Sequence, residues 1–212
     1  MVLSRIVVLG VGPGGSAWVT PAVKEQVKKC QVLCGGRRNL QLFPSFSGEK
    51  REITGELSSL VGDLKKELTK EKQIGVLVSG DPGMYSLMGY LQKHFPGELL
   101  EIVPGISALQ YFFARLKLTW QDARVISLHG REAGEVVDYF RQFPKVGIFT
   151  DTINTPGEIC RLMVEKNLAE KTVYIGENLS YPEEKITSGT PRELSRVECN
   201  ELNVMVVLNN DL

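Results

Sequence analysis

The chain has 212 residues, which is enough for one large domain or two smaller ones, each with a buried core. Its 25 basic residues balance 25 acidic ones without a long run of either sign, so neither a nucleic acid nor a membrane surface is the expected partner. Four scattered cysteines support neither a zinc site nor a disulfide framework, and they favour a soluble cytoplasmic protein with reduced thiols.

The first half of the chain alternates short apolar runs with amphipathic ones, which is the pattern of β-α-β units. The N-terminal apolar run is too short to span a bilayer and ends in glycines, so it indicates a first strand rather than a signal peptide. Thr20 and Pro21 are typical of a helix start. Because the strands lack polar alternation, we expect a parallel sheet covered on both faces. The predicted strands are 5–11, 31–34, 74–79 and 99–103, and the predicted helices are 21–29, 56–72, 84–95 and 106–116.

The second half also contains strands and helices, with one polar exception. Residues 183–189 alternate like a half-exposed strand, which suggests antiparallel pairing and a mixed sheet. We therefore expect two α/β domains, 1–117 and 118–212, with a cleft between them. The further predicted strands are 124–129, 145–150, 171–179 and 202–208, and the further helices are 132–142 and 155–167.

Glycine-containing junctions follow three strands of the first half. The first, GVGPGG at 10–15, lacks the glycine spacing of a dinucleotide-binding fingerprint, and the second strand ends in CGG at 34–36 where that fingerprint needs an acidic residue. The second junction, SGDPGMYS at 79–86, contains an Asp-Pro-Gly turn. The third, VPGIS at 103–107, is expected to place Ser107 in the first turn of a helix. Alone, each of the first two junctions is equally typical of a simple turn, and the third is more typical of a simple helix cap.

Together, the three junctions point to a ligand. The carboxyl ends of parallel strands share one edge of a sheet, so the three loops would converge on one crevice. Asp81 could accept hydrogen bonds from a cationic or hydroxylated ligand there. Ser107 and free backbone N–H groups at the helix start could hold a carboxylate or hydroxyls.

In this order and at these separations, GVGPGG, GDPGMYS and VPGIS resemble the tetrapyrrole (corrin and porphyrin) methyltransferases that use S-adenosylmethionine. Within that family, SLHGR at 127–131 and GENLSYPEEKITSGT at 176–190 are most similar to members that methylate C-5 of a precorrin or cobalt-precorrin in cobalamin (vitamin B12) biosynthesis. The resemblance covers nearly the whole chain and implies a homodimer that binds a tetrapyrrole. The resemblance is to the N-terminal half of fused members, in which a second domain performs C-15 methylation and decarboxylation. We therefore expect the C-15 activity on a separate polypeptide.

The resemblance also implies where S-adenosylmethionine binds. Carried over residue by residue, it assigns cofactor contacts to loops of the first domain and to strand ends of the second. These residues are Gly12, Pro13, Gly80, Asp81, Met84, Ser107, Ala108, Phe149, Thr150, Asn178, Leu179 and Asn203. Asp81 would bind a polar end of the cofactor, whereas Met84 and Phe149 would pack on the adenine.

Candidate catalytic and substrate-binding residues are few. Of the two histidines, His94 lies near the end of a predicted helix, where it interacts favourably with the helix dipole, so we expect a structural role. His129 ends a strand, a place where histidine is more often structural, but it is expected to face the cleft and is the first candidate for a general base. Tyr85 is the second candidate. Arginines suited to binding substrate acetate and propionate groups are Arg131, Arg37 and Arg38, although the last two are equally typical of an exposed basic turn.

Methyl transfer to a nucleophilic meso carbon mainly requires near-attack geometry and exclusion of water. No metal and no covalent enzyme intermediate is needed. Three alternatives remain open. The glycine spacing disfavours an NAD-dependent oxidoreductase, a methylation assay would exclude a non-catalytic tetrapyrrole-binding protein, and only the motifs of the second half disfavour a methyltransferase acting at another ring position.

Overall fold

The computed structural model describes residues 5–130 and 133–209. The chain divides into two compact units, Met1–Ser107 and Ala108–Leu212, whereas the sequence places the boundary after residue 117. The difference is the helix Ala108–Arg115, whose apolar side packs on the second sheet. Leu109 and Phe113 lie over Gly147 of that sheet, where a Cβ would be 3.2 Å from either side chain. The helix belongs with the second unit because its buried face is there.

The first unit contains a five-stranded sheet with the order β3-β2-β4-β1-β5. All neighbouring strands are parallel, which confirms the predicted sheet type. The strands are β1 (Ile6–Gly10), β2 (Val32–Gly35), β3 (Glu49–Glu52), β4 (Ile74–Val78) and β5 (Leu100–Val103), and the helices are α1 (Pro21–Lys29), α2 (Arg37–Gln41), α3 (Leu57–Leu68) and α4 (Met88–Leu91). Short 3-10 segments occupy Ser16–Trp18 and Gly97–Leu99.

Apolar side chains bury both faces of this sheet. Val7 and Leu9 of β1 join one core cluster with Val23 of α1. The alternate β1 residues, including Val8, join a second cluster with Leu64 of α3. Burial on two faces explains why the strands lack polar alternation. Local signals define α1 as predicted, since the Thr20 side chain accepts a hydrogen bond from the Val23 N–H and proline occupies the first helical position.

The elements of the first unit that differ from the sequence-based expectations include α4, β3 and the unpredicted short helix α2. Helix α4 covers only Met88–Leu91 of the predicted span 84–95. Tyr85 has a left-handed backbone, with φ +47°, and this conformation cannot continue a right-handed helix. Strand β3 was not predicted because its sequence, EKRE, is entirely charged. It lies at the edge of the sheet and is mostly exposed, where charge is tolerated and discourages pairing with other chains.

The Glu67 side chain on α3 is almost completely buried. One carboxylate oxygen lies 2.8 Å from both Arg51 Nη2 and Lys70 Nζ, and the other lies 2.8 Å from Lys72 Nζ. Arg51 belongs to β3, so the carboxylate ties the edge strand to the helix that covers the sheet. Hydrogen bonds from Lys70, Lys72 and Arg51 hold the pKa of the Glu67 carboxyl well below its ordinary value.

We expect Glu67→Gln to lower the melting temperature near neutral pH, because three cations lose their shared carboxylate. A depressed folded-state pKa gives stability that is present above the unfolded value of 4.5 and is lost as the pH falls through the folded-state value. The difference in melting temperature between wild type and variant should therefore shrink from about pH 5 to about pH 2. Thermal unfolding followed by circular dichroism checks this, with the exposed Glu71→Gln as control. A pH-independent difference would contradict it.

The second unit contains a five-stranded sheet with the order β6-β7-β10-β8-β9. Strands β6 and β7 are parallel and all other pairs are antiparallel, which confirms the predicted mixed sheet. The strands are β6 (Ala123–Ser127), β7 (Lys145–Phe149), β8 (Thr172–Glu177), β9 (Lys185–Gly189) and β10 (Asn203–Leu208), and the helices are α5 (Ala108–Arg115), α6 (Tyr139–Gln142), α7 (Pro156–Glu165) and α8 (Pro191–Leu194). The predicted helix 132–142 is instead a 3-10 segment, Ala133–Val136, followed by α6.

Within the described ranges 5–130 and 133–209, no helix has both the length and the apolar character needed to cross a bilayer. In the same ranges, no group of three or more His, Cys, Asp or Glu side chains is arranged to hold a metal ion. All four cysteines are free thiols. Burial raises their pKa values, to about 12 for Cys30 and Cys160 and to about 11 for Cys34 and Cys199. These thiols are therefore protonated and unreactive near neutral pH.

Candidate active site

The structure brings the three glycine-containing junctions of the first unit together. Strand β1 lies between β4 and β5, so the loops after these three strands emerge side by side at one edge of the sheet. The first two loops are hydrogen bonded to each other, since the Gly80 N–H donates to the Gly12 carbonyl at 2.8 Å and the Gly12 N–H donates to the Gly80 carbonyl at 3.3 Å. Both glycines have left-handed φ angles, +85° for Gly12 and +68° for Gly80. Glycine adopts this conformation without the steric cost of a Cβ.

Close backbone packing joins the third loop to the other two. A Cβ on Gly105 would lie 2.3 Å from the Gly80 carbonyl oxygen and 2.4 Å from the Gly10 carbonyl oxygen. A Cβ on Gly10 would lie 2.6 Å from the Gly105 nitrogen. Because Gly10 at the end of β1 and Gly105 in the loop after β5 have no Cβ, these backbone segments can approach each other and the Gly80 carbonyl closely, which is a packing requirement in addition to any contact with a ligand.

The Asp81 carboxylate connects the second loop to the third. Its Oδ1 accepts a hydrogen bond from the Gly83 N–H at 2.8 Å, and its Oδ2 accepts one from the Gly105 N–H at 3.1 Å. The Asp-Pro-Gly sequence predicts a turn here, and the family resemblance assigns the Asp81 carboxylate to the ligand. The structure shows that this side chain also holds two loops in a fixed arrangement, with lone pairs left for another donor.

The other first-unit candidates lie around these loops. Pro13 and Met84 are partly buried, and the Met84 N–H donates to the Asp81 carbonyl at 3.1 Å. Tyr85 is 52% exposed. Ser107 is buried and immediately precedes Ala108, the first residue of α5, so it is not in the first turn of that helix as predicted.

The second-unit candidates collect at one edge of the second sheet. Strand β10 runs antiparallel to β7 and β8, so its first residues lie beside the ends of both, with Asn203 opposite Glu177 and Val204 opposite Phe149. The Thr150 hydroxyl donates to the Asn203 carbonyl at 2.9 Å. The Asn178 N–H donates to the Leu202 carbonyl at 2.9 Å, and the next residue, Leu179, is buried. The antiparallel pairing therefore brings Thr150 to Asn203, 53 positions away in the sequence, at the same edge as Asn178.

His129 follows β6 at the same edge and is exposed. Its Nδ1 lies 3.2 Å from the hydroxyl oxygen of Ser127, which is buried. Burial raises the pKa of the Asp151 carboxyl, but hydrogen bonds from Asn154 and Ile153, together with the attraction of His129, outweigh burial and hold that pKa below its ordinary value. Asp151 is thus an anion near His129 at neutral pH. Arg131, which was predicted to bind the substrate, lies outside the described residues.

Arg37 and Arg38 are exposed at the start of α2. Arg37 Nε lies 3.3 Å from a Glu52 carboxylate oxygen of the edge strand β3.

Asn39, which follows these two arginines, was not among the predicted site residues, yet its side chain contacts the second junction. The Ser79 hydroxyl donates to Asn39 Oδ1 at 3.2 Å. An asparagine shortly after a predicted strand end was the available signal.

Glu177 is a second residue that sequence analysis missed. Its side chain is buried at the end of β8, and one carboxylate oxygen accepts a hydrogen bond from the Asn200 N–H at 2.9 Å. Lys185 Nζ lies 3.2 Å from the other oxygen. Asn203 Nδ2 in turn donates to the Asn200 carbonyl at 2.6 Å. Glu177 therefore supports the segment that carries the candidate Asn203, and only the antiparallel pairing reveals this.

Comparison with known proteins identifies relatives along nearly the whole chain. The family of Tetrapyrrole (Corrin/Porphyrin) Methylases matches residues 5–195. A cobalt-precorrin-7 C(5)-methyltransferase from Salmonella typhimurium is 34% identical over 205 residues, covering 96% of this chain and 98% of the relative. A decarboxylating precorrin-6Y C(5,15)-methyltransferase from Sinorhizobium sp is 24% identical and is matched by 95% of this chain, which spans 49% of that relative.

Solved structures share the fold. The methyltransferase CobJ superposes with a TM-score of 0.83 at 17% identity, over 98% of this chain and 95% of the other. Uroporphyrin-III C-methyl transferase from Thermus thermophilus, complexed with S-adenosylhomocysteine, superposes with a TM-score of 0.77 at 19% identity, over 96% and 97% of the two chains. With two α/β units of this architecture and a family match across most of its length, the chain belongs to the tetrapyrrole (corrin/porphyrin) methylases.

Proposed function

We propose that this chain transfers a methyl group from S-adenosylmethionine to C-5 of cobalt-precorrin-7 in cobalamin biosynthesis. The observation that carries the proposal is the hydrogen-bonded convergence of three loops at one sheet edge in a member of this family. The name of the Salmonella relative, which is 34% identical over nearly both full lengths, supports the ring position.

The residues present fit S-adenosylmethionine in their chemistry. In the first unit, Gly12 and Gly80 have no side chain to keep a ligand from the backbone, and Ser107 supplies a hydroxyl. In the second unit, hydroxyl and amide groups from Thr150, Asn178 and Asn203 suit the polar parts of an adenosyl amino acid. We propose that each unit binds the cofactor through these groups together with Pro13, Asp81, Met84, Ala108, Phe149 and Leu179. The S-adenosylhomocysteine bound to the Thermus structure supports the choice of cofactor.

When bound, S-adenosylmethionine supplies an electrophilic methyl group, and C-5 of a reduced tetrapyrrole is nucleophilic through conjugation with the ring nitrogens. The task of the chain is then to hold two carbon atoms in near-attack geometry. The mutual hydrogen bonds of Gly12 and Gly80, with the bridge from Asp81 to Gly105, serve this task by fixing the loops before the ligands bind.

His129 is the proposed general base for the proton that leaves after methyl transfer, with Tyr85 as the second candidate. In the tautomer of His129 with a proton on Nδ1, the Nδ1–H group can donate a hydrogen bond to the Ser127 hydroxyl oxygen. Nε2 then keeps the lone pair that a general base needs. Ser127 is buried and packed, so it also orients the ring. We propose that Arg131, Arg37 and Arg38 bind carboxylates of the substrate.

We expect His129→Ala to lower the methyl transfer rate at least about tenfold while leaving the dissociation constant for S-adenosylhomocysteine unchanged, because a general base acts on the chemical step. Single-turnover rates and calorimetric titration check the two halves of this expectation. His94→Ala is the matched control, since His94 is the only other histidine and its ring packs at a tilt against Tyr90, with ring centroids 4.5 Å apart. A wild-type rate in His129→Ala would contradict both a catalytic and a positioning role.

We also propose where the C-15 activity resides, in which compartment the enzyme acts and in which oligomeric state. The C-15 methylation and decarboxylation are assigned to another polypeptide of the pathway, because the Salmonella relative, which this chain matches over 98% of its length, is named for C(5) methylation alone. The enzyme acts in the cytoplasm, and it forms a homodimer as the family resemblance implies. Light scattering of the purified protein checks the oligomeric state.

The function is tested by incubating the protein with cobalt-precorrin-7 and S-adenosylmethionine that carries an isotopically labelled methyl group. We expect mass spectrometry to show one added methyl and nuclear magnetic resonance to place it at C-5. A label at another ring carbon would contradict the ring position but support the chemistry. Binding of the tetrapyrrole without methylation would instead favour a non-catalytic binding protein.

A further inference from the structure

The turn that follows β8 holds an unfavourable backbone conformation. Asn178 and Ser180 have φ angles of +47° and +70°, in the left-handed region. Asparagine is tolerated there, but serine is disfavoured. A conformation of this kind persists only where the surrounding structure enforces it, and such positions cluster at ligand-binding sites. The two residues flank Leu179, and both Asn178 and Leu179 are proposed to contact the cofactor.

Glu184 supplies the enforcing contacts. Its Oε2 accepts hydrogen bonds from the Ser180 N–H at 2.7 Å and from the Tyr111 hydroxyl at 2.6 Å. Its Oε1 accepts one from Arg115 Nε at 2.8 Å. The Glu184 side chain is only 14% exposed. Because Tyr111 and Arg115 both belong to α5, one carboxylate joins the turn to that helix.

The charge state of this group agrees with its contacts. Burial raises the pKa of the Glu184 carboxyl, but hydrogen bonds from Tyr111, the Ser180 N–H and Arg115 outweigh burial and hold it below its ordinary value. Burial and the neighbouring carboxylate raise the pKa of Tyr111 to about 12. At neutral pH, Glu184 is therefore an anion, and the Tyr111 hydroxyl stays protonated and can donate its hydrogen bond to that carboxylate.

We propose that Glu184 is a positioning residue for the cofactor, because its carboxylate holds the turn of residues 178–180 in the conformation that presents Asn178 and Leu179. The inference rests on the proposed function, since it takes S-adenosylmethionine as the ligand of these residues. Glu184 itself does not need to touch the cofactor. Its effect is to raise the fraction of molecules in which the turn is ready to bind, and the apparent dissociation constant varies inversely with that fraction.

Calorimetric titration with S-adenosylhomocysteine tests the inference, using Glu184→Gln as the variant. A glutamine amide has one oxygen only, so it cannot accept all three hydrogen bonds, although its shape is nearly the same. We expect the dissociation constant to rise about tenfold, with a binding stoichiometry equal to that of wild type. The matched control is the exposed neighbour Glu183→Gln, which makes the same change of charge and should bind like wild type.

A rescue variant separates positioning from general structural support. Glycine adopts a φ of +70° without steric cost, so adding Ser180→Gly to Glu184→Gln should restore most of the lost affinity. A merely structural role for Glu184 predicts fewer binding-competent molecules with an unchanged dissociation constant, and that result would overturn the inference. If Glu184→Gln does not fold, Tyr111→Phe removes one of the three hydrogen bonds and should weaken binding about threefold, against no change if the inference is wrong.

The wild-type titration distinguishes a failure of the positioning role of Glu184 from a failure of the proposed function. Wild type that binds S-adenosylhomocysteine, with an equal dissociation constant in Glu184→Gln, would contradict the positioning role alone. Folded wild type that does not bind it, with or without cobalt-precorrin-7, would contradict the proposed function and this inference together.

Discussion

Gly105→Ala is expected to abolish detectable binding of S-adenosylhomocysteine and to lower the free energy of unfolding by about 3 kcal/mol. The added Cβ would lie 2.3 Å from the Gly80 carbonyl oxygen and 2.4 Å from the Gly10 carbonyl oxygen, and neither atom belongs to a side chain that can rotate away. Gly10 ends a central strand, so the loop of Gly105 has to move instead. That movement would break the hydrogen bond from the Gly105 N–H to Asp81 and separate the third loop from the other two.

Calorimetric titration and chemical denaturation of the variant check both parts of this expectation. Gly62→Ala on α3 is the matched control, because a Cβ there would meet nothing within 4 Å. In that exposed helix position, alanine should stabilise the protein by about 0.5–1 kcal/mol and leave binding unchanged. Wild-type affinity in Gly105→Ala would show that the close approach of the loops is not needed for cofactor binding.

Asp81→Ala is the second substitution with a large expected effect. It removes the acceptor of the Gly83 and Gly105 N–H groups, which bond to the carboxylate at 2.8 Å and 3.1 Å. Hydrogen bonds to a charged group are stronger than neutral ones, so we expect the dissociation constant for S-adenosylhomocysteine to rise about a hundredfold. Titration of the purified variant measures this rise.

Asp81→Asn tests whether the carboxylate acts on the loops or only on the ligand. Asparagine keeps one oxygen acceptor, so one of the two backbone hydrogen bonds can remain, and the loss should be nearer about tenfold. The exposed Asp63→Asn on α3 is the control for the change of charge. Equal affinity in wild type and both Asp81 variants would exclude this side chain from the cofactor site. Equal losses in Asp81→Ala and Asp81→Asn would instead show that the charge itself is required.

Local physical chemistry explains which elements could be predicted. The start of α1 depends on Thr20 and Pro21, two adjacent residues whose effect requires no distant partner. Strands β1 and β4 are apolar at consecutive positions because both of their faces are covered. Strand β3, in contrast, pairs through its backbone at a sheet edge, and its side chains carry no pattern that requires a strand.

The candidate site likewise has parts that local residues determine and parts that depend on strand pairing. Sequence alone determined that three glycine-containing loops follow three parallel strands, since glycine and proline act on their own backbone. It also determined the family resemblance, and the comparisons with known proteins confirm that. The clustering of Thr150, Asn178 and Asn203 required the antiparallel pairing of β10 with its two neighbours, because they lie far apart in the sequence.

Only the tertiary structure decided what the charged side chains do. In the sequence, Asp81 and Glu184 are two carboxylates among 25 acidic residues, and a carboxylate accepts hydrogen bonds from whichever donors folding brings to it. Asp81 receives the N–H of Gly105, and Glu184 receives the hydroxyl of Tyr111, a residue 73 positions away. The backbone preference of each residue is local and can therefore be predicted from the sequence. The hydrogen-bond partners of these carboxylates lie at distant positions, and only folding brings them together.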